Sequence, residues 1–237
     1  MFTELLGYKI FNGTKEELIN LVVKKDKVNI ISGNPQILYE GLQNESLFKD
    51  FTAEHSVIIP DGIGTLVACK LKGKKLKEKI AGIEVMDEVI KYCHENSKGI
   101  YLIGSKQEIV VAAKENLEKK YVGLKILGIH DGYFDINSCE ELVKDLKEKK
   151  PYAVFVAMGC PRQEEFIRKY FGEINCSIIM GVGGSFDIVA EKLERAPQWM
   201  INIGCEWVYR VAKEPVRIKK LGSIPKFIVK AAVTREK

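Results

Sequence analysis

The residues best placed to do chemistry in this chain sit where buried apolar runs give way to glycine. Asp61 follows SVIIP and precedes Gly62-Ile63-Gly64, so a carboxylate stands at the end of an apolar strand with little side-chain bulk beside it. A general base belongs at such a place, because a substrate hydroxyl can approach the backbone closely there. The same residue would equally serve as the N-cap of a helix over residues 65–71, and the local sequence does not choose between the two. Ser32 and Asn34, in KVNIISGNP, hold the corresponding place after another apolar run; they are binding candidates by position and turn or cap residues by type. A third such end is IIMGVGGSFD, in which Gly181, Gly183 and Gly184 lead into Ser185 and Asp187. A turn of this kind offers the first N–H groups of a helix to a phosphate or diphosphate. Its GxGGxxD spacing is not the dinucleotide fingerprint GxGxxG, and a plain tight turn has the same composition.

Several chemistries are absent from the sequence. There is no GxSxG elbow for a serine hydrolase, no GxxxxGK[ST] loop for a P-loop kinase, and no Asp-x-Asp of the kind that holds a divalent cation on a nucleotide diphosphate. The six cysteines are at least sixteen residues apart and form no CxxC or Cys/His group, so neither a zinc site nor a redox pair is expected, and Cys160 in MGCPRQEE reads as a packing residue. No metal and no cofactor are expected. A bound diphosphate would then be met by helix N-termini and by cations such as Arg162, Arg195, Arg210 and Arg217.

These residues need a scaffold, and the hydrophobic pattern supplies one. A short strand pair runs to Asn12-Gly13, and Thr14 with Glu17 makes a capping box for a helix to about Lys25. Strands are expected over residues 27–32, 56–60, 99–104, 124–130, 152–159 and 176–182. Helices are expected over 36–44, 65–71, 80–93, from a Ser105 cap to about 121, over 138–149, and after Pro161. Strict alternation from residue 27 to residue 190 implies one Rossmann-like α/β domain, with a mostly parallel sheet and helices on both faces. Parallel strands share their carboxyl ends, so SGN, PDGIG, GS, HDGYF, GCPRQE and GVGGSFD would line one crevice.

Composition agrees with a folded enzyme-sized domain: 237 residues, 46% hydrophobic and 29% charged, with a net charge of +5. The charge is unevenly placed. From Cys205 onward nine basic residues face three acidic ones, interleaved with Trp207, Val208, Val211, Ile218, Ile224 and Phe227, which is an interfacial composition. The expected division is therefore a core over residues 1–195 and a basic amphipathic C-terminal appendage over 196–237 that meets an anionic partner. No apolar run approaches the roughly 18 to 20 residues of a membrane span, and the N-terminus does not read as a signal peptide, so a cytoplasmic protein is expected.

Six stretches in collinear order, PDGIG with LKEKIAGIEVMDEV, HDGYF, VFVAMGCPRQEEFI, GVGGSFDIVAEKLERAP and EWVYRVAKEPVRIKK, resemble the TagA/WecG/CpsF family of bacterial glycosyltransferases over about residues 5–225. The resemblance implies inverting, metal-independent transfer of a sugar such as N-acetylmannosamine from a UDP donor to undecaprenyl-diphosphate-linked N-acetylglucosamine, at the inner face of the cell membrane, in wall or surface polysaccharide synthesis. It implies that Asp61 is the general base and that Ser32 and Asn34 line the pocket, with serine where close relatives carry threonine. Gln163 matches a pocket glutamine, and Lys79 stands where relatives have arginine, without that residue's bidentate fork. Gly183, Gly184 and Asp187 match the nucleotide side. Arg210 and Arg217, with Lys220 at a position usually held by arginine, match tail cations that close over the diphosphate. Self-association into a homo-oligomer stays open.

Two other readings compete: a non-enzymatic nucleotide-binding module whose basic tail binds nucleic acid, and an NAD-dependent enzyme of the same sheet type. The first has no aromatic RNA-binding motif or helix-turn-helix behind it, so no nucleic acid partner is expected. The second lacks the acidic partner about 20 residues beyond the glycine turn.

Overall fold

The computed structural model describes residues 1–202, 206–213 and 222–234. Eight strands form one sheet: β1 (Phe2–Leu5), β2 (Tyr8–Phe11), β3 (Val28–Ser32), β4 (Ser56–Ile59), β5 (Gly99–Gly104), β6 (Lys125–His130), β7 (Ala153–Ala157) and β8 (Ile178–Gly181). Their spatial order is β1-β2-β4-β3-β8-β7-β5-β6, with only the β1–β2 pair antiparallel. The first helix, α1 (Lys15–Val22), opens on the expected capping box, Thr14 Oγ1 accepting from the Glu17 N–H and the Glu17 carboxylate accepting from the Thr14 N–H. It ends three residues earlier than the pattern suggested.

Side chains alternate across the strands, and the register makes two faces of them. Val28 and Ile30 of β3, Val57 and Ile59 of β4, and Ile178 and Met180 of β8 pack with α1, with α5 (Gly82–Glu95) and with α6 (Gln107–Lys120). On the opposite face Ile31 and Ile58 pack with α2 (Pro35–Gln43), α3 (Glu45–Phe51) and α4 (Ile63–Leu71), while Val154 and Ile179 pack with α7 (Glu140–Lys149) and α8 (Arg162–Tyr170). The two apolar clusters of this second face are separate. Buried Asn29, Asp50 and Glu164 lie between them.

Two local expectations are corrected. Residues 45–51 form a helix that the sequence pattern did not single out; Asn44 ends α2 and at once caps α3, its Oδ1 accepting from the Ser46 and Leu47 N–H groups. Ser105 does not cap α6. It sits at φ 57°, the cap position falls on Lys106, and the Ser105 N–H donates to the Ala157 carbonyl, tying the end of β5 to β7.

After β8 come α9 (Ser185–Val189), α10 (Gln198–Asn202), α11 (Glu206–Lys213) and α12 (Ser223–Val233). The last of these packs on α2 and α4, with Phe227 and Ala231 fully buried. That stretch of the C-terminal segment is thus seated in the second-face core, while Lys226, Val229, Lys230 and Val233 stay on its outer side. Among the described residues no helix is long and apolar enough to cross a membrane.

Candidate active site

The N-cap of helix α4 is Gly62, which has φ 78° and makes no side-chain cap hydrogen bond. Asp61 is therefore not the N-cap of that helix, and its carboxylate is engaged elsewhere. Oδ2 accepts from Ser32 Oγ at 2.7 Å and from the Gly82 N–H at 3.3 Å. Gly82 opens the fourteen-residue α5, whose own cap residue, Ala81, has no side chain able to accept. The carboxylate of Asp61, arriving from β4, thus occupies the N-terminus of α5, where unpaired N–H groups and the helix dipole favour negative charge. A Cβ at Gly82 would press on this contact, lying 3.3 Å from Asp61 Oδ2, with Met180 Cε at 3.7 Å.

The partners of Asp61 are themselves held. Asn34 Nδ2 donates to Ser32 Oγ at 2.9 Å, while Asn34 Oδ1 caps α2 by accepting from the Gln36 and Ile37 N–H groups. Asn34 is therefore a helix cap that also bonds Ser32, which joins it to the group around Asp61. Below it, Thr65 Oγ1 donates to the Gly33 carbonyl at 2.6 Å, fastening α4 to the end of β3. Ser32 is buried, Asp61 half-buried at the crevice edge. Lys79 lies in the loop before α5, next to Ile80, whose N–H donates to the Pro60 carbonyl and so brings this loop beside Asp61.

Across β3 lie the ends of β7 and β8. Gln163, on the first turn of α8, is only 2% exposed. Its Oε1 accepts from the Gly159 N–H at 3.1 Å and the Gly183 N–H at 3.0 Å, and its Nε2 donates to Glu164 Oε1 at 2.8 Å. Gln163 is a brace between two turns. Gly181 makes room for it, since a Cβ there would come within 2.6 Å of Gln163 Nε2. Gly183 and Gly184 are half-buried, Gly183 at φ 51°, and Asp187 lies in the short α9. Of the tail cations, Arg210 falls within α11, and Arg217 and Lys220 lie outside the described residues.

The structure thus brings Asp61, Ser32, Asn34 and Gly82 together, and separately Gln163, Gly159 and Gly183, side by side along the carboxyl edge. Sequence reasoning missed Gly82 and Glu164. The first sits in IAGIEV at a helix start and could have been found as a backbone donor without a local cap. The second is one of two adjacent acids in PRQEE, and nothing in the sequence says which one is buried.

A mostly parallel sheet with a braced carboxylate at its carboxyl edge defines a Rossmann-like α/β enzyme. The model of the glycosyl transferase WecG/TagA/CpsF family matches residues 3–237, and the chain belongs to that family; it is a glycosyltransferase. Its relatives include proteins named N-acetylglucosaminyldiphosphoundecaprenol N-acetyl-beta-D-mannosaminyltransferase. One, from Staphylococcus aureus strain MW2, is 35% identical over 240 residues, covering 99% of this chain and 93% of the relative. Another, from Bacillus subtilis strain 168, is 34% identical over 194 residues, covering 82% of this chain and 75% of the relative. This places the chain among enzymes rather than non-enzymatic binding modules.

Proposed function

We propose that the chain transfers N-acetylmannosamine, or a close analogue, from its UDP conjugate to N-acetylglucosamine carried on undecaprenyl diphosphate, in the synthesis of a cell-wall polymer. The transfer inverts the anomeric centre and requires no metal. The observation that carries this reading is the Asp61 carboxylate, oriented by Ser32 Oγ and the Gly82 N–H at the crevice edge.

In this reading Asp61 takes the proton from the acceptor hydroxyl as its oxygen attacks the anomeric carbon from the side opposite UDP. Ser32 and Asn34 hold that carboxylate and line the acceptor side with Lys79. Gly183, Gly184 and Asp187 receive the nucleotide, with Gln163 bracing the turn. The negative charge that develops on departing UDP is met by Arg210, Arg217 and Lys220, which complete the site from the C-terminal segment over 196–237. The basic and apolar residues of that segment suit the anionic membrane surface that carries the acceptor, so the enzyme works as a peripheral protein on the cytoplasmic face. Self-association of the chain is compatible with all of these steps.

The test is UDP release from a panel of UDP-sugars mixed with a short-chain lipid-diphosphate-GlcNAc acceptor, in the presence and absence of a chelator. Acceptor-dependent release with UDP-N-acetylmannosamine, insensitive to the chelator, is expected. Release with no donor of the panel would overturn the reading.

A further inference from the structure

Behind Gln163, on the sheet side of α8, the fold encloses a small cavity lined by Asn29, Ile30, Ile31, Ser32, Glu164, Ile167 and Gly181. It lies between the acceptor-side and donor-side strand ends, since Ser32 touches it from β3 and Gly181 from β8. Two polar atoms buried around it have no hydrogen-bond partner, Asn29 Oδ1 and Glu164 Oε2. Both are acceptors. Turning the Asn29 amide over does not relieve this, because its Nδ2 donates to Asp50 Oδ2 at 3.2 Å and the exchange would set oxygen against oxygen.

We propose that Glu164 is a positioning residue of the transfer reaction: its carboxyl group locks Gln163 across the Gly159 and Gly183 turns and so sets the shape of the donor side. The inference rests on the donor-site reading of that turn given above. The lock is direct, Gln163 Nε2 donating to Glu164 Oε1 at 2.8 Å. Burial favours the neutral form of Glu164. The residue is 6% exposed, and burial pushes its carboxyl up to about 7 against the hydrogen bonds from Gln163, its own backbone and Cys160. A proton on Oε2 gives the cavity the donor that its two acceptors need.

The carboxylates around it do not favour its ionisation. Glu40 of α2 is a repulsive charge, and Asp50 of α3, itself pushed up by burial, reaches Asn29 on the far wall. The cationic groups in this region are turned to Asp50: His55 Nε2 lies 3.2 Å from Asp50 Oδ1, and Arg168 of α8 acts on the same carboxyl. Cys160, on the turn before α8, is the remaining titratable neighbour.

The experiment compares the wild-type chain with Glu164→Gln and Glu164→Leu. It reads UDP binding by calorimetry and exchange of the Gly183 amide by NMR, at pH 6 and pH 8. Glutamine keeps an acceptor for Gln163 and presents an N–H where the neutral acid presents its O–H. It should hold UDP affinity within about threefold and leave Gly183 exchange slow at both pH values. Leucine removes the acceptor and should weaken UDP binding and speed Gly183 exchange by about tenfold each, with the fold intact by circular dichroism. Wild type should loosen between pH 6 and pH 8 while Glu164→Gln does not. Equal damage from both substitutions, no effect of leucine, or coincident pH profiles would each overturn the proposal. If wild type binds no UDP, the donor-site reading fails, and the Gly183 exchange rates still decide whether the lock exists.

Discussion

The two halves of the crevice are built in opposite ways. On the β3–β4 side the polar groups converge on one half-buried carboxylate, with Ser32, Asn34 and the Gly82 N–H arranged around Asp61. On the β7–β8 side the buried polar groups converge on the protein's own backbone, Gln163 bridging Gly159 and Gly183 with Glu164 behind it. The first arrangement leaves a reactive group at the crevice edge. The second fixes the shape of a turn. Under the proposed function, this contrast assigns bond making to the first side and a preorganised surface for the donor to the second.

Four substitutions probe that contrast, the largest effect first. Asp61→Asn keeps the hydrogen-bond geometry but removes the proposed base, and kcat should fall by about a thousandfold with UDP affinity little changed. A loss below tenfold would place the base elsewhere. Glu164→Gln should change the pH dependence of stability. The folded wild type keeps a proton that the unfolded chain releases near pH 4.5, so its stabilising contribution is complete below that value and is lost as pH rises to about 7. Relative to acid conditions, wild type should lose about 3 kcal/mol across this window, and the glutamine variant should lack that slope in urea melts at pH 5 and pH 8.

Next in size, Gly181→Ala drives a Cβ into Gln163 Nε2, 2.6 Å away, and should cost about 2 kcal/mol of stability while raising the donor KM more than it lowers kcat. Smallest is Ser32→Ala, which removes a hydroxyl donor to Asp61 Oδ2 and the acceptor of Asn34 Nδ2. It should lower kcat by about tenfold, with the donor KM unchanged. If Ser32→Ala altered the donor KM and Gly181→Ala altered only kcat, the assignment of the two sides would be reversed.

Much of the scaffold is legible in the chain because its signals are local. Apolar runs that stop at glycine mark strand ends wherever they occur, and the Thr14–Glu17 box reports a helix start within four residues. Helix α3 escaped because Asn44 closes one helix and opens the next with no intervening turn signal. Ser105 misled because serine after a strand is a common cap, and only the backbone turned by Gly104 and Ser105 toward β7 shows otherwise.

The sequence by itself determined the alternation of strands and helices, the glycine-flanked carboxylate of Asp61, and the family. Tertiary structure alone decided the sheet order that sets β8 beside β3, the Gly82 N–H that takes the place of a local cap partner for Asp61, and which acid of Glu164 and Glu165 is buried. The reason is one of range. Hydrophobic period and turn chemistry act over a few residues, whereas these contacts join groups 21 or more positions apart, or depend on which face of a helix the assembled core covers.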